Sequence, residues 1–238
     1  MIRIKNLSKT FSHGDQTISV FDNFNLEIAP NELVVIFGPS GCGKSTLINL
    51  ISGTEHYSSG LIEGLQKTNR IGFVSQRSSL LPWLKVIDNI AFGLKLQGVD
   101  KNSRYRESYK LLEEMGLRGY ADFYPHQLST GLSQLVAFAR AVAYQAEFMF
   151  MDEPFSSLDF FVRNKLQDTV LKIHKKRGLT TIFITHQIDE ALYLGDRIVA
   201  LSTSKPTKIL AELDVRSLTD KTSESFYKLH RELLFCYQ

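Results

Sequence analysis

The stretch ELVVIFGPSGCGKSTLINLIS, residues 32–52, limits this chain more tightly than any other. A short apolar run, a glycine-rich turn and an apolar helical pattern follow one another, which reads as strand, loop and helix. Gly38, Pro39, Ser40, Gly41, Cys42, Gly43, Lys44, Ser45 and Thr46 satisfy G-x-x-x-x-G-K-[ST] in the strand-to-helix setting that gives the pattern its meaning. Glycines let the backbone wrap close to a phosphate chain, so that N–H groups and the positive end of the helix hold the anion. Lys44 supplies charge to the terminal phosphates and Ser45 an oxygen for Mg²⁺. Nucleotide binding is the strongest inference from sequence.

The remaining pattern builds a P-loop NTPase core of the α/β class with a mostly parallel sheet. FMFM at 148–151 and TTIFIT at 180–185 are short apolar runs bounded by turns or helical patterns, as strands covered on both faces should be. Residues 1–30 alternate and read as antiparallel strands, an N-terminal β subdomain. VIDNIAFGLKL, SRYRESYKLLEEMGL and SQLVAFARAVAY place apolar residues at helical spacing, giving an inserted helical subdomain at 77–145 between core segments 1–76 and 146–238. DRIVALS and KILAEL return to strands, and SESFYKLHRELLFCY reads as a last helix behind a serine cap.

A P-loop needs an acidic partner at the end of a neighbouring strand, and FMFMDEP offers Asp152 to hold the magnesium and Glu153 to polarise the attacking water. Charge narrows little else: 28 basic and 25 acidic residues are spread along the chain, with no block that would mark nucleic-acid binding. Cys42 and Cys236 lie in no paired metal-ligand spacing, which argues against a disulfide framework or a zinc site. The opening MIRIKNLSKTF lacks the apolar core of a signal peptide, and no stretch approaches the ~18 apolar residues of a spanning helix. A cytoplasmic place is expected, with any work at a membrane done through a partner.

Taken in order, the motifs resemble the ATP-binding subunits of ATP-binding cassette transporters over essentially the whole chain. After the P-loop come Gln76 in FVSQRSSLLPW, the turn LSTGLSQ, the acidic strand, SSLD ending at Asp159, and His186 in FITHQIDEAL. The resemblance implies ATP and Mg²⁺ as ligands. It implies that Gln76 senses magnesium and the attacking water, that His186 hydrogen-bonds the γ-phosphate, and that Asp159 crosses to a second copy. Ser129 and Gly131 would reach the γ-phosphate held by the opposite subunit. Phe11 in SKTF matches the place of an aromatic ring stacked on adenine, with a core position in the edge sheet as the alternative.

Leu-Leu-Pro-Trp at 80–83 and the helix pattern after it resemble importers of nitrate, sulfonate, taurine and related solutes. The implied assembly is a homodimer on the inner face of the cell membrane, bound to integral permease subunits, with or without a solute-binding protein and with no nucleic acid. The cargo never touches such a cassette, so its identity is not written here. A soluble ATP-switched protein acting on nucleic acid or on a complex, and a cassette with weak hydrolysis, remain the alternatives. Four positions carry specific expectations. Thr130 replaces the first of two glycines in the family's signature turn and is awkward if that backbone needs φ > 0, while Gln134 takes over part of the polar role lost at Leu132. Cys42, at a helix N-terminus, is expected to favour thiolate, with a buried inert thiol as the alternative. Trp83 is either a core residue or a contact for a membrane subunit.

Overall fold

The structure, a computed structural model, describes residues 1–14, 16–65, 70–218 and 223–237. Of the expected core segments 1–76 and 146–238, residues 15, 66–69, 219–222 and 238 therefore lie outside the described residues. The chain divides into two compact units, Met1–Thr68 with Leu179–Gln238, and Asn69–Gly178.

In the first unit the alternating N-terminal residues form β1 (Ile2–His13) and β2 (Gln16–Ile28), paired antiparallel as the alternation predicts, with β4 (Ser59–Glu63) on the other edge of β1. Their inward residues Ile4, Leu7, Phe21 and Leu26 are buried. The nucleotide-binding pattern starts from β3 (Leu33–Phe37), whose every residue is buried. β3 pairs parallel with β7 (Thr180–Thr185) on one side and with β8 (Arg197–Leu201) on the other. A strand flanked in this way has no polar face, which is why its sequence reads as a plain apolar run. β9 (Ile209–Asp214) closes the edge antiparallel to β8. Arg197 ties this edge together, its Nε donating to Glu32 Oε1 at 2.8 Å and Nη1 donating to Glu212 Oε2. Helices α1 (Lys44–Ser52), α6 (Ile188–Leu194) and α7 (Glu224–Phe235) complete the unit. Ser223 caps α7, accepting from Phe226 N.

The second unit holds the parallel pair β5 (Ile71–Val74) and β6 (Phe148–Asp152), and helices α2 (Val86–Leu96), α3 (Lys101–Glu114), α4 (Thr130–Ala143) and α5 (Phe160–Arg177). The apolar faces of α2, α3 and α4 meet one another, burying Ile90, Leu94, Leu111, Val136 and Phe138. α5 starts from an aspartate cap, buries Leu166, Val170 and Ile173 at helical spacing, and ends at Gly178 in the left-handed conformation.

Ile36 lies at the centre of β3 with no exposed surface. Ile36→Ala should lower unfolding free energy by about 2–5 kcal/mol through lost burial and the cavity left behind. The check is a shift of the urea midpoint at unchanged slope.

Candidate functional site

The expected site residues fall on both units: Phe11, the glycine loop and His186 on the first, and Gln76, Ser129, Gly131, Asp152, Glu153 and Asp159 on the second.

On the first unit β3 runs straight into the loop. Gly38 N donates to Thr185 O at 3.4 Å, so the loop begins beside the end of β7, one residue before the exposed His186. Gly43 has φ +109 and serves as the N-cap of α1, and a Cβ there would meet Val20 Cγ1 at 3.0 Å, so only glycine suits the position. α1 has no side-chain cap and no acidic residue in its first turn, leaving its positive end to an anion. Lys44 is buried, and its Nζ donates to Gly38 O at 2.7 Å and Pro39 O at 2.9 Å, which holds the ammonium inside the loop. Ser45 is exposed just beyond it. Thr207 braces the loop from behind, its Oγ1 donating to Cys42 O at 2.7 Å and its N donating to Val20 O.

Two sequence expectations are decided in this unit. Cys42 is 2% exposed, and burial pushes its thiol above the ordinary value despite the opposing influence of Lys44. The expected thiolate is overturned: loss of hydration outweighs the positive field, and the inert reading holds. Phe11 is not a core residue, since it is 40% exposed on β1 with the Lys9 ammonium 4.4 Å from its ring centroid.

On the second unit Asp152 is the last residue of β6 and Glu153 follows in the left-handed region at φ 45, unusual for a glutamate. Both are half-buried. Ser156 links the Glu153 backbone to the glutamine: its Oγ donates to Glu153 O at 3.0 Å and accepts from Gln76 Nε2 at 3.2 Å. Gln76 is thus joined to Ser156 across 80 residues of sequence, and through it to the Glu153 backbone. Gln134 was not among the expected site residues, yet its Nε2 donates to the backbone carbonyls of Ser75 and Gln76. The only sequence signal for it is a polar residue on the apolar face of SQLVAFARA. Gln134 is buried, so whatever polar role it plays is directed at the Ser75 and Gln76 backbone.

The signature turn is unstrained. Ser129 is the N-cap of α4, its Oγ accepting from Leu132 N at 3.3 Å, and Thr130 is the first helical residue, without a positive φ. The branched side chain therefore meets no left-handed requirement. Gly131 is needed for packing: a Cβ there would lie 2.5 Å from Val162 Cγ1 of α5. Asp159 caps α5, its Oδ1 accepting from Val162 N at 3.0 Å. Trp83 is 70% exposed, which removes the core alternative. It lines a cavity of about 230 Å³ with Phe92 and Arg104, near a second of about 360 Å³ lined by Phe73, Leu81, Phe92, Leu96 and Arg140.

Comparison with known proteins agrees with this layout. The family model described as ABC transporter matches residues 21–156. The chain is 38% identical over 240 residues to the aliphatic sulfonates import ATP-binding protein SsuB of Bacillus cereus, covering 98% of this chain and 94% of that protein. It is 41% identical over 199 residues to the taurine import ATP-binding protein TauB of Shigella flexneri, covering 81% and 77%. Among solved structures, the dimeric bacterial ABC transporter cassette MJ0796 superposes with a TM-score of 0.80 at 30% identity, over 91% of this chain and 100% of that one. The same cassette is also known as a dimer in a post-hydrolysis state bound to ADP and Pi.

The two thiols yield a direct check on the loop. Burial raises the pKa of both, but Cys236 is only partly covered whereas Cys42 is enclosed. Maleimide should add one label to the native protein, at Cys236 and faster as pH rises, and a second only in denaturant, with peptide mass spectrometry reading the positions.

Proposed function

This chain belongs to the ABC transporter family of ATP-binding cassettes and is an ATPase, and we propose that it powers uptake of a small solute of the nitrate, sulfonate or taurine kind through separate membrane subunits. The observation that carries the solute class is near full-length similarity to SsuB, an import protein by name, at 38% identity, together with Leu-Leu-Pro-Trp at 80–83. Among the described residues no helix is long and apolar enough to cross a membrane, which suits a subunit held peripherally on the cytoplasmic face by permease partners.

In this reading the domains are a nucleotide-binding core with its β subdomain, 1–76 and 146–238, and a helical subdomain, 77–145. Two copies clamp two ATP molecules head to tail, each glycine loop facing the other's signature turn. Backbone N–H groups of the loop 38–46 cradle the phosphates, with Ser40 and Cys42 acting through the main chain, while Pro39, which has no N–H, serves through its carbonyl, which holds the Lys44 ammonium that neutralises the terminal oxygens. Ser45, Gln76 and Asp152 offer only oxygen donors, the set a hard cation takes, and would hold Mg²⁺, which neutralises charge on the phosphate oxygens. Glu153 takes a proton from the attacking water, and His186 donates to the γ-phosphate. Phe11 offers one ring face to adenine, and Ser129, Gly131 and Asp159 meet the nucleotide of the partner copy. The adjacent Phe160 and Phe161, 66% and 82% exposed, add an apolar contact suited to a second copy. The cavities beside Leu81 and Trp83 form the socket for a helix of the membrane subunit, and its movement follows closure of the dimer.

Glu153→Gln keeps shape and removes the base. It should retain ATP binding, lose at least about a hundredfold in turnover, and elute as a dimer in ATP and Mg²⁺. A variant that stays monomeric under those conditions counts against the head-to-tail clamp. Lys44→Ala should weaken binding or turnover severely, and normal ATPase activity in it overturns the loop's assignment. Trp83→Ala should leave ATP binding intact and cut co-purification with the membrane subunits about tenfold. Unchanged co-purification and transport would remove the socket.

A further inference from the structure

We propose that Gln134 is a positioning residue for hydrolysis: it clasps the backbone of the glutamine loop to the signature helix, so that Gln76 and the turn at Ser129–Gly131 are set as one piece. The inference rests on the reading of Gln76 as the residue that senses magnesium and the attacking water.

Gln134 lies on α4, one turn beyond the signature residues, and is 2% exposed. Its Nε2 donates to Ser75 O at 3.2 Å and also to Gln76 O. Carbonyls only accept, so the pair dictates which way the amide faces. The other end, Oε1, is then buried with no hydrogen-bond partner among the described residues. A buried acceptor left in this way is costly, and a leucine or methionine would fill the space without it. What the apolar residues cannot supply is the pair of donors aimed at the loop.

The same loop is gripped at two further points. Arg140, also on α4, donates from Nη1 to Ser79 O at 3.0 Å. Asn89 of α2 accepts from Leu81 N at 2.8 Å and donates to Leu81 O and Leu84 O. Residues 75–84 are therefore fastened to the helices by side chains acting on main chain. From Gln76 the path continues through Ser156 Oγ to the Glu153 carbonyl. Gln134 is the member of this path placed on the helix whose N-terminus is the signature turn. A shift of α4 is thereby passed to Gln76 and onward to the Glu153 backbone.

The test compares steady-state ATPase kinetics and thermal stability of the full chain with those of Gln134→Met, which keeps length and removes both donors. Gln76 is exposed and Ser75 half-buried, so the two carbonyls can turn to water, and the melting temperature should stay within a few degrees. Turnover should fall roughly tenfold with KM for ATP within about twofold, because the phosphate loop is untouched. Gln134→Asn keeps the amide but shortens its reach, and should lose turnover in the same sense if the methionine variant folds poorly. Gln76→Ala is measured alongside, and the double variant should be no slower than Gln76→Ala alone. Parental turnover in Gln134→Met, or a loss that only tracks the unfolded fraction, overturns the inference while leaving Gln76 in place. Parental turnover in Gln76→Ala overturns the reading of Gln76, and the inference with it.

Discussion

The two-sided pairing of β3 is the constraint from which the first unit follows. Leu33–Phe37 is hydrogen-bonded on one edge by β7 and on the other by β8, with every side chain buried. Such a strand cannot slip in register without exposing apolar groups or stranding backbone ones. The loop leaving its end is therefore launched from a fixed point, and Gly38, Thr185 and Thr207 hold it there. A phosphate-binding loop acts through main-chain N–H groups, so precision in the strand becomes precision toward the anion.

The second unit orders its residues differently, by side chains reaching main chain across long sequence separations. Gln134, Arg140 and Asn89 hold one loop, while Ser129 and Asp159 cap the helices they precede. The caps place two expected nucleotide contacts in defined rotamers within a single chain. Each hydroxyl or carboxylate oxygen already satisfies a helix N–H, a contribution of about 1 kcal/mol. Any further contact those groups make has to share them with their own helix.

Patterns that repeat locally were legible in the sequence. β7 and α2 occupy the residues their apolar spacing predicts, and Ser223 caps the last helix as expected. β4 and β5 were not foreseen: SGLIE is largely exposed, and IGFV is four residues with a glycine whose absent side chain leaves room for Ala141 and Ala146. Their strand character comes from partners distant in sequence. The glycine loop and acidic pair could be read because their spacing is chemistry in itself. Cys42 was misjudged because sequence reveals the helix dipole but not burial, and burial dominates its thiol. Thr130 raised concern only through its contrast with glycine, whereas the observed turn asks for ordinary helical geometry. The backbone partners of Gln134 were not legible because a helix sequence does not say which loop lies against its buried face.

Glu153 carries a consequence for how this sequence can drift. Its left-handed backbone costs a branched-free but Cβ-bearing residue on the order of 1 kcal/mol, whereas glycine takes it freely and asparagine tolerates it better. Folding by itself thus pulls position 153 away from glutamate. A lineage released from the need for a carboxylate there would gain stability by losing it, so a glycine or asparagine at this one backbone angle is the mark that disuse would leave first.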